Sequence, residues 1–148
     1  MSHDQLLRET EAYLREQIPL VAAMGVRVES YDAERLIITA PLEPNHNHLG
    51  TAFGGSLAAV ATLAGYAWLW LELHEPGCHL VIRESRMSFR RPVRQAIRAI
   101  CHRPPSDAWS AFATAFKEKG KARVELQVTI EEDDEIAVEF TGTFVALR

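Results

Sequence analysis

Apolar and polar residues alternate along this chain with a helical period at its start and a strand period further on. From His3 to Gln17 the apolar positions recur every three or four residues, with charged side chains between them, which predicts an amphipathic helix. Pro19 breaks that pattern and can open a second short turn that runs to Met24. Two strands are predicted next, at residues 26–31 and 35–42, and together with the helices they form the first third of the fold.

The longest apolar stretch runs from residue 57 to residue 73, directly after the pair Gly54 and Gly55. A helix is predicted to begin there at Ser56 and to stop before Pro76. A membrane span needs about 20 such residues with basic flanks, and this stretch falls short of both. A helix that is apolar on every side can instead be one that protein surrounds. We therefore expect a buried central helix and no contact with a membrane.

The second half of the chain is rich in predicted strands. Along the first of them Val81, Met87 and Phe89 fall on one face, while Glu84 falls on the other. A short helix with aromatic residues on one side precedes the last two strands, which alternate most clearly. The predicted fold class is α+β, an antiparallel sheet that curls around the long apolar helix. The predicted strands of this half are 79–89, 93–102, 122–130 and 136–144.

Composition and charge narrow the class of protein. A chain of 148 residues with 47% hydrophobic and 24% charged residues indicates one globular domain over residues 1–148. The net charge of -4 argues against a general nucleic-acid binder, which needs a basic surface. Cys78 and Cys101 lack metal-ligand spacing and indicate reduced thiols, and the charged residues 1–16 lack the apolar core of a signal peptide. We therefore expect a cytoplasmic protein.

The segment that leads into the apolar helix carries the candidate chemistry. Gly54 and Gly55 let another group approach the backbone closely, and a helix start offers free N–H groups with a partial positive charge. Such donors can polarise a carbonyl and stabilise an oxyanion. The Asn47 side chain can both donate and accept, which suits it to hold a carbonyl or a water molecule. The alternative is a plain glycine-rich turn in which Asn47 is a turn residue, and spacing alone favours it.

Three stretches together resemble a known family. Residues 47–56, from Asn47 through Gly54 and Gly55, resemble the signature of the hotdog-fold thioesterases. Residues 87–93 resemble their strand that ends in an aromatic residue, a basic residue and Pro-Val. The closing stretches 120–124 and 140–147 resemble one branch in particular, a thioesterase-like domain that elsewhere follows an N-acetyltransferase domain.

The resemblance implies a hotdog fold and a homodimer whose active sites lie between subunits, with further pairing into a tetramer left open. It implies that Asn47 holds the attacking water or the thioester carbonyl, and that the N–H of Gly55 or Gly54 polarises that carbonyl. This chain departs from many relatives in two places. Phe53 stands where they have His, and Thr62 stands on the helix where they have Asp or Glu. Phe53 and Gly54 are therefore assigned to substrate binding.

Two hydroxyl residues are candidates to assist the water. Thr62 could hydrogen-bond it but cannot act as a strong base near neutral pH, and the alternative is a hydroxyl bonded back to its own helix. Ser85 lies on the opposite strand face from Glu84 and could face the helix and bond the water or substrate. Glu84 is the nearest acidic candidate, but a solvated strand residue is the simpler interpretation.

Three arginines, Arg90, Arg91 and Arg94, cluster around Pro92. Coenzyme A and the phosphopantetheine arm carry phosphates, which Arg binds well, although arginines at a sheet edge are often simply solvated. We expect no metal, because His46 and His48 lack further ligands at suitable spacing. No cofactor is expected beyond the coenzyme A or phosphopantetheine that belongs to the substrate.

The sequence therefore favours a hydrolase that acts on an acyl thioester of coenzyme A or acyl carrier protein. A non-catalytic domain that binds acyl carriers is the alternative, since both the carboxylate and the His are missing. Hydration or dehydration of an enoyl thioester is less favoured, because Phe53 occupies the natural place of the His that this chemistry needs.

Overall fold

The computed structural model describes residues 2–148, and Met1 lies outside the described residues. Its helices are α1 (His3–Gln17), α2 (Pro19–Met24), α3 (Gly54–Leu73) and α4 (Ser106–Lys119). Its strands are β1 (Arg27–Tyr31), β2 (Arg35–Ala40), β3 (His79–Phe89), β4 (Ile97–His102), β5 (Lys121–Glu132) and β6 (Glu135–Leu147). A single 3-10 turn, Glu43–Asn45, stands between β2 and the segment that leads into α3.

The six strands form one antiparallel sheet in the order β1-β2-β4-β5-β6-β3. Burial alternates along β5 and β6, since one face packs on α3 and the other meets solvent. The order separates β3 from its neighbours in sequence and leaves it at one edge of the sheet, paired only with β6 in the described chain. Nearly the whole of β3 is exposed.

Helix α3 has the length and apolar composition of a membrane span, yet more than half of it is buried by the sheet and the other helices. Val60, Ala64 and Trp68 are fully buried. Gly65 marks the closest approach to the sheet, because a methyl group at that position would overlap the Phe144 ring of β6. The prediction of an α+β fold with a sheet around a central apolar helix is confirmed.

Two predictions about the strands were wrong in detail. The strand predicted at 93–102 begins only at Ile97, because the N–H groups of Arg94 and Gln95 donate to the Glu132 carboxylate and not to a neighbouring strand. A bulge between Ile82 and Glu84 shifts the phase of β3, so Val81 lies on the opposite face from Met87. The pairing of β3 with β6 shows the reversal. Val81 pairs with Val145 and Met87 with Phe140, and these two partners are five residues apart, so they lie on opposite faces of β6.

Candidate functional site

The start of α3 is an unpaired helix end. Phe53 precedes the helix with an extended backbone, and its side chain has no atom that can cap the helix. The first helical hydrogen bond joins the N–H of Leu57 to the carbonyl of Phe53 at 3.0 Å. Within residues 2–148 no acceptor lies in hydrogen-bond range of the N–H groups of Gly54, Gly55 and Ser56. These three donors and the positive end of the helix dipole therefore form a position that suits a carbonyl oxygen.

A phenyl ring lies beside each of the two glycines. A methyl group at Gly55 would overlap the ring of Phe53, and one at Gly54 would lie 3.8 Å from the ring of Phe89. Both phenylalanines are 55% exposed. Gly55 is therefore needed for the close approach of the Phe53 ring, whereas a methyl group at Gly54 would make an ordinary contact with Phe89. The free N–H groups lie next to two exposed apolar surfaces.

Asn47 organises the loop before the helix. Its Oδ1 accepts hydrogen bonds from the N–H of Leu49 at 2.8 Å and of Thr51 at 3.1 Å. Its Nδ2 donates to Thr51 Oγ1 at 2.9 Å. The Asn47 side-chain oxygen therefore acts as that of a turn residue. The second hydrogen on Nδ2 has no partner within the described chain. Asn47 is half-buried, so that remaining N–H is the group with which it could hold a water or a carbonyl.

Asn45 is a site-positioning residue that the sequence analysis missed. It is 2% exposed, and its Nδ2 donates to the carbonyls of Met24 and Pro41 at 2.9 and 2.8 Å. Its own carbonyl accepts from the N–H of Phe53 at 2.7 Å. The residue therefore joins α2, the end of β2 and the start of α3. In the sequence it stands in a polar turn-rich run, and nothing local to that run indicates burial.

The arginine cluster lies beside the start of α3, because the N–H of Ala52 donates to the carbonyl of Val93 at 2.8 Å. Two of its members are already paired with glutamates of β6. Arg90 Nη2 lies 3.2 Å from Glu139 Oε2, and Arg91 forms an ion pair with Glu135. The Arg94 side chain is exposed and forms no ion pair with another described residue. Arg94 is therefore the member most available to a phosphate.

Thr62 and Ser85 lie in different surroundings. Thr62 is half-buried, and its Oγ1 donates to the carbonyl of Ala58 at 2.8 Å, which is the bond back to its own helix. Its oxygen lone pairs remain able to accept from a water molecule. Ser85 is exposed on the edge strand, opposite Gly142 and on the face that packs on α3, as expected. The structure thus groups Asn47, the two glycines, Phe53 and the arginines, with Thr62 two turns along α3 and Ser85 on β3 apart from them.

An apolar cavity of about 450 Å³ lies along α3. It is bounded by α2, α3, β3 and the Phe144 ring, and Thr62 and Tyr66 supply its only side-chain hydroxyls. Burial and a hydrogen bond to Tyr13 raise the pKa of Tyr66 above its ordinary value, so its phenol stays protonated even in mildly alkaline solution. Burial likewise raises the pKa of Cys101 and of Cys78, which makes neither thiol a ready nucleophile.

A six-stranded antiparallel sheet around one long apolar helix is the hotdog fold, and it matches that of solved thioesterase-like neighbours. The chain belongs to the YiiD_C family, whose model, described as "Putative thioesterase (yiiD_Cterm)", matches residues 7–148.

Solved structures from several bacteria are similar over almost the entire chain. A protein of unknown function from Chlorobaculum tepidum is 36% identical, with 99% of this chain and 97% of that one covered and a TM-score of 0.90. A structure titled a putative thioesterase from Shewanella oneidensis is 26% identical, with 98% and 99% covered and a TM-score of 0.87. A structure from Pseudomonas aeruginosa titled a probable thioesterase is 25% identical, with 95% and 94% covered and a TM-score of 0.80.

Proposed function

We propose that this protein hydrolyses an acyl thioester carried on coenzyme A or on the phosphopantetheine arm of acyl carrier protein. The observation that carries the proposal is the unpaired start of α3, where three N–H groups face no acceptor in the described chain. Membership of a thioesterase family supports the reaction class. The apolar cavity along the same helix supports an acyl substrate.

In the proposed reaction the thioester carbonyl oxygen accepts hydrogen bonds from the Gly55 N–H and the neighbouring Gly54 N–H. Water oxygen bonds to the carbonyl carbon, and the oxyanion that forms is stabilised by these amides and the helix dipole. The carbon–sulfur bond then breaks, and one proton of the water goes to the departing thiolate sulfur, which gives the free thiol. The second proton is released to solvent as the carboxylic acid product ionises to a carboxylate. Asn47 would orient the water or carbonyl through its remaining N–H. Thr62 or Ser85 would accept a hydrogen bond from the water only where a second copy of the chain brings one of them to the site, since within one copy both lie apart from the amides.

We also propose a homodimer that forms through the edge strand β3. An exposed edge strand presents unpaired N–H and C=O groups that a second strand can pair. Val81, Ile82 and Phe89 are 49%, 36% and 55% exposed on this strand, so a second copy would cover apolar surface there. The same pairing would bring Ser85 of one copy towards the other. Arg94 would contact the phosphates of the carrier near this boundary.

Release of free thiol from a panel of short, medium and aryl acyl-CoAs tests the proposal. We expect turnover by the native protein and a loss of about 10-fold or more in Asn47→Ala, because both the remaining amide N–H and the loop hydrogen bonds are removed. His48→Ala is the matched control, since this neighbouring side chain is exposed and makes no hydrogen bond within the described chain. Full activity in Asn47→Ala would remove Asn47 from the site.

A non-catalytic acyl-carrier binding domain is the second candidate. The observation that favours it is the absence of an imidazole or carboxylate at positions 53 and 62, where Phe53 and Thr62 stand. Such a domain would bind acyl-CoA in calorimetry without releasing thiol from any member of the panel. Binding that weakens in Arg94→Ala, with no turnover in the native protein, would favour this candidate.

A further inference from the structure

The cavity along α3 has a composition that selects its occupant. No charged side chain lines it, and the residues that α2, α3 and β3 contribute are almost all aliphatic. At about 450 Å³ it lies within the size range of small-molecule pockets. The small side chains of Ala58 and Ala59 leave space beside α3 that a larger residue at either position would fill. These features suit an uncharged hydrocarbon chain.

The cavity continues the face of α3 that begins at the proposed carbonyl position. Ala58, Ala59, Thr62 and Tyr66 line it and lie three, four, seven and eleven residues beyond Gly55, which is the spacing of one helical face. At 1.5 Å per residue, Tyr66 stands about 16 Å along the axis from Gly55. An acyl chain whose carbonyl contacts the Gly55 N–H can therefore extend along this face without crossing the helix, provided that it passes the Phe53 ring, which lies against Gly55 and is 55% exposed.

Tyr66 stands at the far end of this face and is held in place. Its phenol oxygen lies 3.5 Å from the phenol oxygen of Tyr13 on α1. The Tyr13 ring in turn stacks on Trp70, with ring centroids 4.5 Å apart and an angle of 18° between their planes. The phenol of Tyr66 is thus part of a packed aromatic group and not a free side chain.

Taking the proposed thioester site as given, we propose that the cavity binds a straight, uncharged acyl chain of medium length and that Tyr66 sets its upper limit. Subtracting about one helical turn for the ring leaves roughly 11 Å, which accommodates a chain of about eight to ten carbons. Tyr66 is in this sense a specificity-determining residue, and Tyr13 is a positioning residue that acts through it.

The experiment compares the native protein with Tyr66→Ala and with the matched variant Tyr66→Phe. Calorimetry measures binding of S-alkyl-CoA thioethers with four to sixteen carbons, which cannot be hydrolysed, and thiol release is measured for the corresponding acyl-CoAs. We expect the native optimum at about eight to ten carbons and a shift of about four carbons towards longer chains in Tyr66→Ala. Tyr66→Phe keeps the ring and should keep the optimum. Tyr13→Ala should broaden it, because the ring is no longer held.

The two readouts separate this inference from hydrolysis itself. A length optimum that shifts in the thioether series, without thiol release, would uphold the cavity and overturn the hydrolase. Thiol release without any length optimum, or an optimum that stays in place in Tyr66→Ala, would overturn the role of Tyr66. Should the alanine variant fail to fold by circular dichroism, Tyr66→Leu shortens the side chain less and gives the same comparison. If native binding has no length dependence and Tyr66→Ala alters only the oligomeric state, the cavity is an interface between copies and the inference is wrong.

Discussion

The two ends of α3 differ in what surrounds them: free backbone N–H groups lie beside exposed rings at the start, whereas a paired carboxylate side chain lies near the other end. At the start, the N–H groups of Gly54, Gly55 and Ser56 have no acceptor in the described chain, and the neighbouring phenylalanines are exposed. At the other end, the Glu72 carboxylate accepts from Arg103 at 2.7 Å and from the Tyr31 hydroxyl. Free backbone N–H groups can donate to a carbonyl oxygen, so the start of α3 is the end where a ligand can supply an acceptor.

Aromatic packing shows the same contrast. Trp68 near the end of α3 is fully buried, and its ring meets that of Trp109 edge to face at 5.1 Å between centroids. The guanidinium of Arg103 lies 5.8 Å from the Trp68 ring. Phe53 and Phe89 at the start have comparable rings but more than half their surface exposed. The difference indicates that one end stabilises the fold while the other presents a surface.

The largest effect is expected from Gly55→Ala. Its new methyl group would overlap the Phe53 ring, so either the helix start moves and displaces the amide, or the ring moves relative to the free N–H groups beside it. Both movements disturb the carbonyl position. We expect kcat/KM for thiol release to fall about 100-fold, the usual cost of losing one oxyanion donor. Gly77→Ala, beyond the opposite end of α3, is the control. Its φ is +83° with open space around it, so it should lower stability by about 1 kcal/mol and leave the rate unchanged.

An intermediate effect is expected from Glu72→Gln, which acts on the paired end. The change weakens the contacts of this side chain with both Arg103 and Tyr31. The Glu72 side chain is only 14% exposed, whereas that of Arg103 is 34% exposed, so solvent weakens their ion pair in part. After allowance for solvent at Arg103, we expect a loss of about 1–2 kcal/mol in the free energy of unfolding by urea, with the rate of thiol release preserved. Glu75→Gln, which removes a more exposed partner of Arg148, should change stability far less. A loss of thiol release in Glu72→Gln would contradict the proposed difference between the two ends of α3.

The smallest effect concerns pH at the paired end. Burial, and then the hydrogen bond to Glu72, raise the pKa of Tyr31 above its ordinary value of 10.0. The folded protein therefore keeps this proton longer than the unfolded chain does, so the stabilisation is complete below about pH 10 and is lost as the pH rises further. Tyr31→Phe should flatten the decline of urea stability between pH 9 and pH 11. An unchanged decline would show that another group, such as Tyr66, is responsible.

The sequence predicted those features that depend on local period. The alternation of β5 and β6 and the apolar run of α3 indicate sheet and buried helix without knowledge of any contact. What it could not predict depends on distant partners. The bulge in β3 places Val81 on the opposite face from the predicted one. The arginines beside Pro92 form ion pairs with Glu135 and Glu139, which lie more than forty residues later in the chain.

The candidate site was predicted in part for the same reason. The glycine pair is a local signal, but the helix that was predicted to begin at Ser56 begins at Gly54, so the two glycines form its first two residues. The burial of Asn45 and the loop hydrogen bonds of Asn47 arise from α2, β2 and Thr51, whose positions follow only from the folded chain. A polar run such as residues 45–48 gives no sign of which asparagine points inward. The roles of Asn47, Thr62 and Ser85 in turnover therefore stay predictions for the variants above.

The strand order of the sheet also affects how the protein is made. β3 ends at Phe89, but β6, its only partner within residues 2–148, begins at Glu135. At ordinary rates of translation the ribosome needs about two to nine seconds to add the residues between them. Throughout that interval an alternating strand leaves the ribosome without its partner. Its charged residues, Arg83, Glu84 and Arg86, then disfavour premature pairing with a neighbouring nascent chain, whereas the proposed homodimer would pair copies that have already folded.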